Sequence, residues 1–522
     1  MESHILVQII ASFGVAVILG LFVKAYIAVV ATPRRLRRLL KQQGIGGPPP
    51  ANFLLGNVME MRKQTPTRKT AAAAADPHNF ENELHAVFHK WRRQYGDMYT
   101  FSLGTKPVLV VNDYDVIREL SASKSLDLGR PLYLSKDFES LLGNGVSASN
   151  GKLWAYERKI IAPGLNMNKI QRMRNSIQKS ALMLIDSWKS VIDGEGGKAD
   201  MKVDNFLIKF AGDAISRVCF GSNYAQGELL FQKLQALVQV TATKGFLIGI
   251  PGMRHVPTKQ NRREWELRRE AKELISKLVK EKEEADEEEN MLKFILQGAQ
   301  SGDLSPHEIE DFIIDNCKSI LLAGYEPVSI AASWILMLLA SNQEWQDRAR
   351  QEVIQVCKGR VPEFESIRHM KQLTMVIYES LRLYTSAHIA SRYSINDLEF
   401  GNIRIPKGVI IWVMTTALHT DPDIWGPDSY EFKPERFANG TSGACKLPHL
   451  FTPFGFGSRV CLGQNLAMVE LKLLFAHILS NFSFSLSPNY VHDPTINLHL
   501  KPGNGVDLVI QRFNIPQADV LH

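Results

Sequence analysis

The chain has 522 residues, a formal charge of +7, 45% hydrophobic residues and 22% charged residues. That length is roughly three to four typical domains and can bury a large core, and the ordinary globular composition excludes a disordered or fibrous protein. Five cysteines (Cys219, Cys317, Cys357, Cys445, Cys461) lie far apart, odd in number and without a Cys-x-x-Cys pair, which argues against a disulfide scaffold or zinc knuckle and for a reducing compartment.

The charge is local. Within residues 1–50, Lys24, Arg34, Arg35, Arg37, Arg38 and Lys41 face only Glu2, leaving +5, and the rest of the chain carries +2. No nucleic-acid partner is expected from such a distribution. Residues 5–23 are uncharged and mainly apolar, and the apolar character resumes after Lys24 as far as Ala31. At about 1.5 Å per residue such a helix spans a hydrocarbon core of about 30 Å, with Lys24 snorkelling at its edge. A cleaved signal peptide needs its basic residues before the apolar run, and here they follow it. The expectation is a membrane anchor over 1–32 with the following basic side in the cytosol. A basic, Pro/Gly-rich linker over 33–50 and one large domain over 51–522 come next.

Gly44-Ile45-Gly46-Gly47-Pro48-Pro49-Pro50 reads as a stiff linker, and Ala71–Ala75 as a low-complexity loop insertion. Strand-like runs fall at 98–102, 108–111 and 403–413, while the rest reads mostly helical, giving a mixed α/β, mainly α-helical fold with small β-sheets. The acidic stretch 280–290 reads as solvated helix or loop. Ser305-Pro306-His307-Glu308 combines a capping-box spacing with proline at the first helical position, and should start a long buried helix through 312–339. The sequons at Asn439 and Asn481 are silent on a cytosolic face.

Cys461 differs from the other cysteines, which read as inert. It lies in Pro453-Phe454-Gly455-Phe456-Gly457-Ser458-Arg459-Val460-Cys461-Leu462-Gly463, ahead of a helix-forming run. Glycines allow close backbone approach to a flat ligand, and a helix N-terminus favours a thiolate, suited to a soft metal or haem iron. A dinucleotide loop would need a third glycine at the proper spacing.

These residues resemble the cytochrome P450 haem loop, Phe-x-x-Gly-x-Arg-x-Cys-x-Gly, at Phe454, Gly457, Arg459, Cys461 and Gly463. Other stations agree in order. Glu379 and Arg382 match the family's Glu-x-x-Arg pair, tied in the family to the arginine of a Pro-Glu-Arg-Phe segment, here Arg436. Trp154 and Arg158 match a pair beside the haem propionates, and their one-turn spacing puts both on one helix face. Arg392 matches a further propionate arginine. The resemblance implies a cytochrome P450 fold around haem b, with Cys461 on the iron, a transmembrane helix in front, and the long helix over the opposite, distal face. It also implies a monooxygenase fed from NADPH through the flavins of a cytochrome P450 reductase, single-pass in the endoplasmic reticulum membrane and in contact with lipid.

Two departures stand out. The distal helix of the family carries Ala-Gly-x-Glu/Asp-Thr for proton delivery, whereas here Ala323-Gly324-Tyr325-Glu326-Pro327 occurs. The acid is kept, the alcohol is lost, and proline frees the Ala323 carbonyl at a propensity cost of about 3 kcal/mol. The expectation is that Pro327 maintains a local helix distortion and that ordered water, or a polar substrate group, completes the relay with Glu326; Ser329 should point elsewhere. After Arg382 the usual Tyr-Pro-Pro is replaced by Tyr384-Thr385-Ser386-Ala387-His388. Tyr325, Pro327, Thr385, Ser386 and His388 are therefore candidate substrate contacts. Residues 125–131, 149–154 and 158–163 are most similar to plant P450s that oxidise gibberellins and ent-kaurane diterpenoids, implying hydroxylation, for example at C13, or epoxidation of an apolar, carboxylated polycycle. An oxygen-independent isomerase or lyase, and a non-enzymatic haem sensor or ligand-binding membrane protein, are the competing readings.

Overall fold

In the computed structural model the described residues are 2–63, 78–80, 84–136, 138–221, 224–242, 253–283, 290–301, 305–496 and 498–513. The alanine run at 71–75 and most of the acidic stretch at 280–290 fall outside them. The N-terminal helix Glu2–Tyr26 passes through a π-helical turn, Ile27–Ala31, into the helix Thr32–Lys41. Its apolar side chains stand in the open: Ile10, Phe13, Leu21 and Phe22 are each more than 60% exposed. Apolar side chains at that exposure are unstable in water and are what a lipid phase takes up.

The segment expected as a linker over 33–50 is instead docked on the body. Leu36 and Leu40 are buried with strand residues Leu109 and Ile411. The Thr100 N–H donates to the Gly46 carbonyl at 2.8 Å, and Arg37 donates to Ser102 Oγ (3.0 Å) and the Pro48 carbonyl (2.6 Å). A Cβ on Gly47 would fall 1.8 Å from the Thr100 carbonyl oxygen, so glycine is required for this close approach. The glycines and following prolines make a strap along the sheet here, because the Thr100 N–H of the sheet and the half-buried Arg37 find carbonyls on it.

The main sheet orders its strands Met98–Leu103, Lys106–Val111, Ile410–Met414, Ile389–Ser394 and Leu128–Gly129. The first pair is an antiparallel hairpin, and Lys106–Val111 runs parallel to Ile410–Met414 with Val108 opposite Ile410. The single strand expected over 403–413 is two, Ile403–Ile405 and Ile410–Met414. Pro406 and Gly408, the latter at φ +96°, turn the chain between them.

The helix Pro306–Ser341 starts on the expected capping box, with the Ser305 N–H donating to Glu308 Oε2 at 2.8 Å. It runs through the main core, where Trp334, Ile335, Leu336 and Leu338 are at most 1% exposed. Each such side chain contributes about 1.5–3 kcal/mol through burial. This explains why a helix long and apolar enough to cross a membrane belongs to the interior: its most apolar stretch is 78% buried, against 0% for that of Ser12–Lys41. The helices Asp204–Phe220 and Gln464–Asn481 pack beside it. A Cβ on Gly324 would come within 2.3 Å of Ile215, so that glycine lets the helix Asp204–Phe220 lie close.

Candidate functional site

A cavity of about 330 Å³ lies between the long helix and the cysteine loop, bounded by Ala323, Gly324, Pro327 and Val328 on one side and by Phe454, Cys461, Gly463 and Leu466 on the other. The loop is set by local backbone. Gly455 and Gly457 adopt φ +74° and +67°, and the Cys461 N–H donates to the Phe454 carbonyl at 2.8 Å. Cys461 opens onto the cavity and is otherwise enclosed by protein. Burial raises its pKa, opposed by the Gly463 N–H and by Arg130 and Arg158. A metal cation is the partner that would reverse that preference and hold the thiolate.

Four guanidiniums border the same cavity: Arg130, Arg158, Arg392 and Arg459. None of them makes an ion pair with a carboxylate among the described residues. Their partners are uncharged. Arg459 donates to the Ser149 carbonyl (2.9 Å) and Asn150 Oδ1 (2.9 Å), Arg158 to the Val460 carbonyl (3.0 Å), and Arg392 to the Phe456 carbonyl (2.8 Å). Trp154 lies face-on to Arg459, 3.9 Å from ring centroid to guanidinium carbon. Burial and the charges of Arg130 and Arg158 pull Arg459 down to about 9, and burial with Arg130 and Arg459 pulls Arg392 down as well. A guanidinium does not give up its proton in a protein, so these shifts read as stored repulsion that an anion would relieve.

Asn150 organises this ring. Its amide accepts from the Arg130 N–H (2.7 Å) and from Arg459, and donates to the Arg130 carbonyl (3.0 Å). A Cβ on Gly129 would sit 2.4 Å from Asn150 Oδ1. The stretches around 125–131 and 149–154 therefore meet on the cysteine side of the cavity and position its arginines. Asn150 was missed from sequence because its partners belong to another segment.

A flat group with a metal at its centre and two acidic arms fits this arrangement, which is what the haem b implied by the resemblance presents. Cys461 would hold its iron, and Arg130, Trp154, Arg158, Arg392 and Arg459 its carboxylates. Bound there, it supplies the centre at which dioxygen is reduced.

Glu379 and Arg382 lie behind the site, both fully buried and joined by two hydrogen bonds of 2.7 and 2.8 Å. Arg436 Nε stands 3.5 Å from Glu379. This network has no opening to the cavity.

The distal side differs from expectation in several places. The helix continues through Pro327 without a break. Glu326 is not on the cavity wall; its Oε2 lies 3.7 Å from Nδ1 of His499, which is. Burial raises the Glu326 pKa, but His499 and Lys501 outweigh it and the carboxyl ends below its ordinary value. Ser329 donates to the Glu326 carbonyl at 2.9 Å and takes no part in the cavity. Of the candidate substrate contacts, Pro327 and Ser386 line the cavity and Tyr325, Thr385 and His388 do not. Tyr325 packs edge-on against Phe231 at 4.6 Å, since its place on the helix faces a neighbouring helix. Thr385 is fully buried, and His388 stacks on His85 at 5.7 Å, where burial, then His85 and His499, lower it to about 3. Sequence reasoning also missed Glu470, a fully buried carboxyl on the cavity wall whose pKa burial raises well above its ordinary value.

Residues 75–506 match the family model described as Cytochrome P450. The chain is 45% identical over 502 residues to "Cytochrome P450 714C2" of Oryza sativa subsp. japonica, covering 94% of this chain and 96% of the relative. It is 41% identical over 504 residues to "Cytochrome P450 714B2" of the same plant, covering 93% of each. It is 38% identical over 527 residues to "Cytochrome P450 714A2" of Arabidopsis thaliana, covering 97% and 99%. With the cysteine loop, arginine ring and buried Glu-x-x-Arg pair in place, the chain belongs to the cytochrome P450 family and is a haem-thiolate monooxygenase.

Proposed function

We propose that this monooxygenase inserts one oxygen atom into a gibberellin or ent-kaurane diterpenoid acid, by hydroxylation, for example at C13, or by epoxidation. Its electrons come from NADPH through the flavins of a cytochrome P450 reductase. The enzyme is held in the endoplasmic reticulum membrane by its single N-terminal helix, with the catalytic body in the cytosol.

The observation that carries the substrate reading is the composition of the distal wall. Ile215, Ile320, Val328, Ala331 and Leu381 make it largely apolar, and Ser319, Ser386 and His499 are polar points on it. Such a wall suits a rigid apolar skeleton bearing few polar groups. Arg130 belongs to the arginine ring bordering the cavity, where its charge acts on Arg392 and Arg459. The exposed apolar helix at the N-terminus supports the anchor.

Microsomes containing the full chain, reductase and NADPH, incubated with a panel of gibberellins and ent-kaurenoids, should yield a product heavier by one oxygen atom. Absence of product across the panel, alongside a normal red-shifted ferrous–carbon monoxide band, would reject the substrate class and leave the family assignment standing.

A further inference from the structure

The residue that the family uses beside the distal acid is proline here, and Glu326 stands off the cavity wall. Between the acid and the cavity lies His499. Its ring lines the cavity with Pro327, and Nδ1 points at Glu326 Oε2 from 3.7 Å with no hydrogen-bond partner of its own. That separation is beyond a direct hydrogen bond, and a small rotation or one water closes it.

The position of His499 is fixed by its neighbour. Leu500 is fully buried, its carbonyl accepts from the Trp334 indole at 3.2 Å, and its N–H donates to the Ser386 carbonyl at 3.2 Å. The hairpin of Pro494–Ile496 and Leu500–Pro502 is thereby tied to the distal helix on one side and to the segment after Arg382 on the other. His499, at its turn, is delivered to the cavity that Pro327 also lines. Lys501, two residues on, adds positive charge near Glu326.

We propose that His499 is the proton-relay residue of this enzyme, carrying protons between Glu326 and the cavity in place of the absent hydroxyl. Imidazole suits the task because its two nitrogens can donate on one edge and accept on the other. Monooxygenation converts R–H, O₂, two electrons and two protons to R–OH and water, with the electrons supplied by the reductant of the established reaction. For each proton delivered, the N–H bond at Nε2 breaks and an O–H bond forms on oxygen or water in the cavity. Nδ1–H forms as the O–H of Glu326 breaks, and solvent reprotonates Glu326. Exchange of the ring proton from Nδ1 back to Nε2 through water restores the Nε2–H form before the second proton. Neither side chain is oxidised or reduced. The inference rests on the monooxygenase activity and is independent of the diterpenoid reading.

The test uses the full-length haem protein in two arms. In the first, carbon monoxide is the probe of the distal side and no substrate is needed. His499→Gln and Glu326→Gln should each shift the C–O stretching band of the ferrous complex, the double variant should shift it no further, and the Soret band should stay red-shifted. In the second, with any substrate that the wild type oxidises, His499→Gln should lower coupled turnover by roughly 10²-fold, as loss of a general acid–base group does. Hydrogen peroxide released per NADPH should rise, and substrate affinity should stay within about twofold, too small a change to explain the lost turnover. A C–O band unmoved by His499→Gln overturns the relay. So does a turnover loss matched by an equal loss of substrate affinity, which would make His499 a substrate anchor.

Discussion

The molecule buries arginine in two regions and settles the charge in opposite ways. Behind the site, Arg382 is fully buried against Glu379, and its remaining donors reach the carbonyls of His419 (2.7 Å), Ser429 (2.5 Å) and Glu431 (3.0 Å). Around the cavity, Arg158, Arg392 and Arg459 face neutral acceptors and an aromatic ring, and together with Arg130 they repel one another. The first cluster is electrically closed and has no use for a ligand. The second is open by several positive charges, and that deficit marks where an anionic group belongs. Burial alone does not separate structural from functional charge; the presence or absence of a counter-ion within the protein does.

The sharpest way to break this contrast is to open the closed cluster. Arg382→Met leaves the Glu379 carboxylate without its main cation in a fully buried position. Such a lone charge costs about 3–5 kcal/mol, so the variant should fail to accumulate as folded protein or melt far below wild type. Melting within about one degree of wild type in a thermal scan would mean that the pair is not electrically closed. In the open cluster, Arg459→Met removes a cation from a repelling group along with two hydrogen bonds to neutral acceptors. The cofactor-free protein should change by less than about 1 kcal/mol, because relief of repulsion offsets bonds worth about that much each. Haem loss to an apo-globin acceptor should quicken by about tenfold, the equivalent of about 1.4 kcal/mol. Equal damage to both clusters would erase the distinction.

The two clusters were unequally legible in the sequence. The placement of Cys461, Arg459 and Phe454 at one cavity could be read because they share one contiguous turn whose glycines fix it. Glu379 with Arg382, and Trp154 with Arg158, could be read because helical spacing places each pair on one face. What escaped depends on which neighbour a face meets. Asn150 and His499 meet segments far away in the chain, and Tyr325 sits one residue from Glu326 yet points into a helix interface. The docked strap at 33–50 looked like a linker because its burial is supplied by the sheet, which composition does not reveal. The division of 403–413 did have a signal, Pro406 and Gly408, outweighed by the β-branched residues around them.

Glu157 sits at the junction of the two behaviours, a buried carboxyl beside the open cluster. It accepts from Ser149 and, at 3.0 Å, from Asn316 of the long helix, and burial raises it from 4.5 to about 7 against those bonds. The folded state therefore keeps this proton between about pH 4.5 and 7 while the unfolded chain has lost it. Stability must fall as pH rises through that window and level off above about 7. Glu157→Gln keeps the spacing, should remove that part of the decline, and should be more stable than wild type near pH 8 by on the order of 1–3 kcal/mol. Denaturant titrations at pH 5 and 8 check it. A variant whose pH profile matches wild type would show that Arg459 already balances Glu157, and the cavity cluster would be less open than its geometry implies.

The smallest effect lies at the rim of the closed cluster. Arg436 donates to the Trp425 carbonyl (3.0 Å) and pairs with Asp428 at 2.8 Å, while its Nε only approaches Glu379. Lys433 also bonds Asp428 and, with Arg436, holds that carboxyl below its usual range, so Asp428 keeps a cation whichever arginine contact is lost. Glu379 likewise keeps Arg382 and the Lys433 N–H at 2.8 Å. Arg436→Lys therefore preserves the charge balance and forfeits the planar fork, which a single ammonium cannot reproduce. The expected cost is about 1 kcal/mol, one hydrogen bond's worth, read as a shifted denaturant midpoint with unchanged slope and undiminished haem content. A cost approaching that of Arg382→Met would move Arg436 from rim to centre, because it would mean that the 3.5 Å approach to Glu379 carries the charge balance.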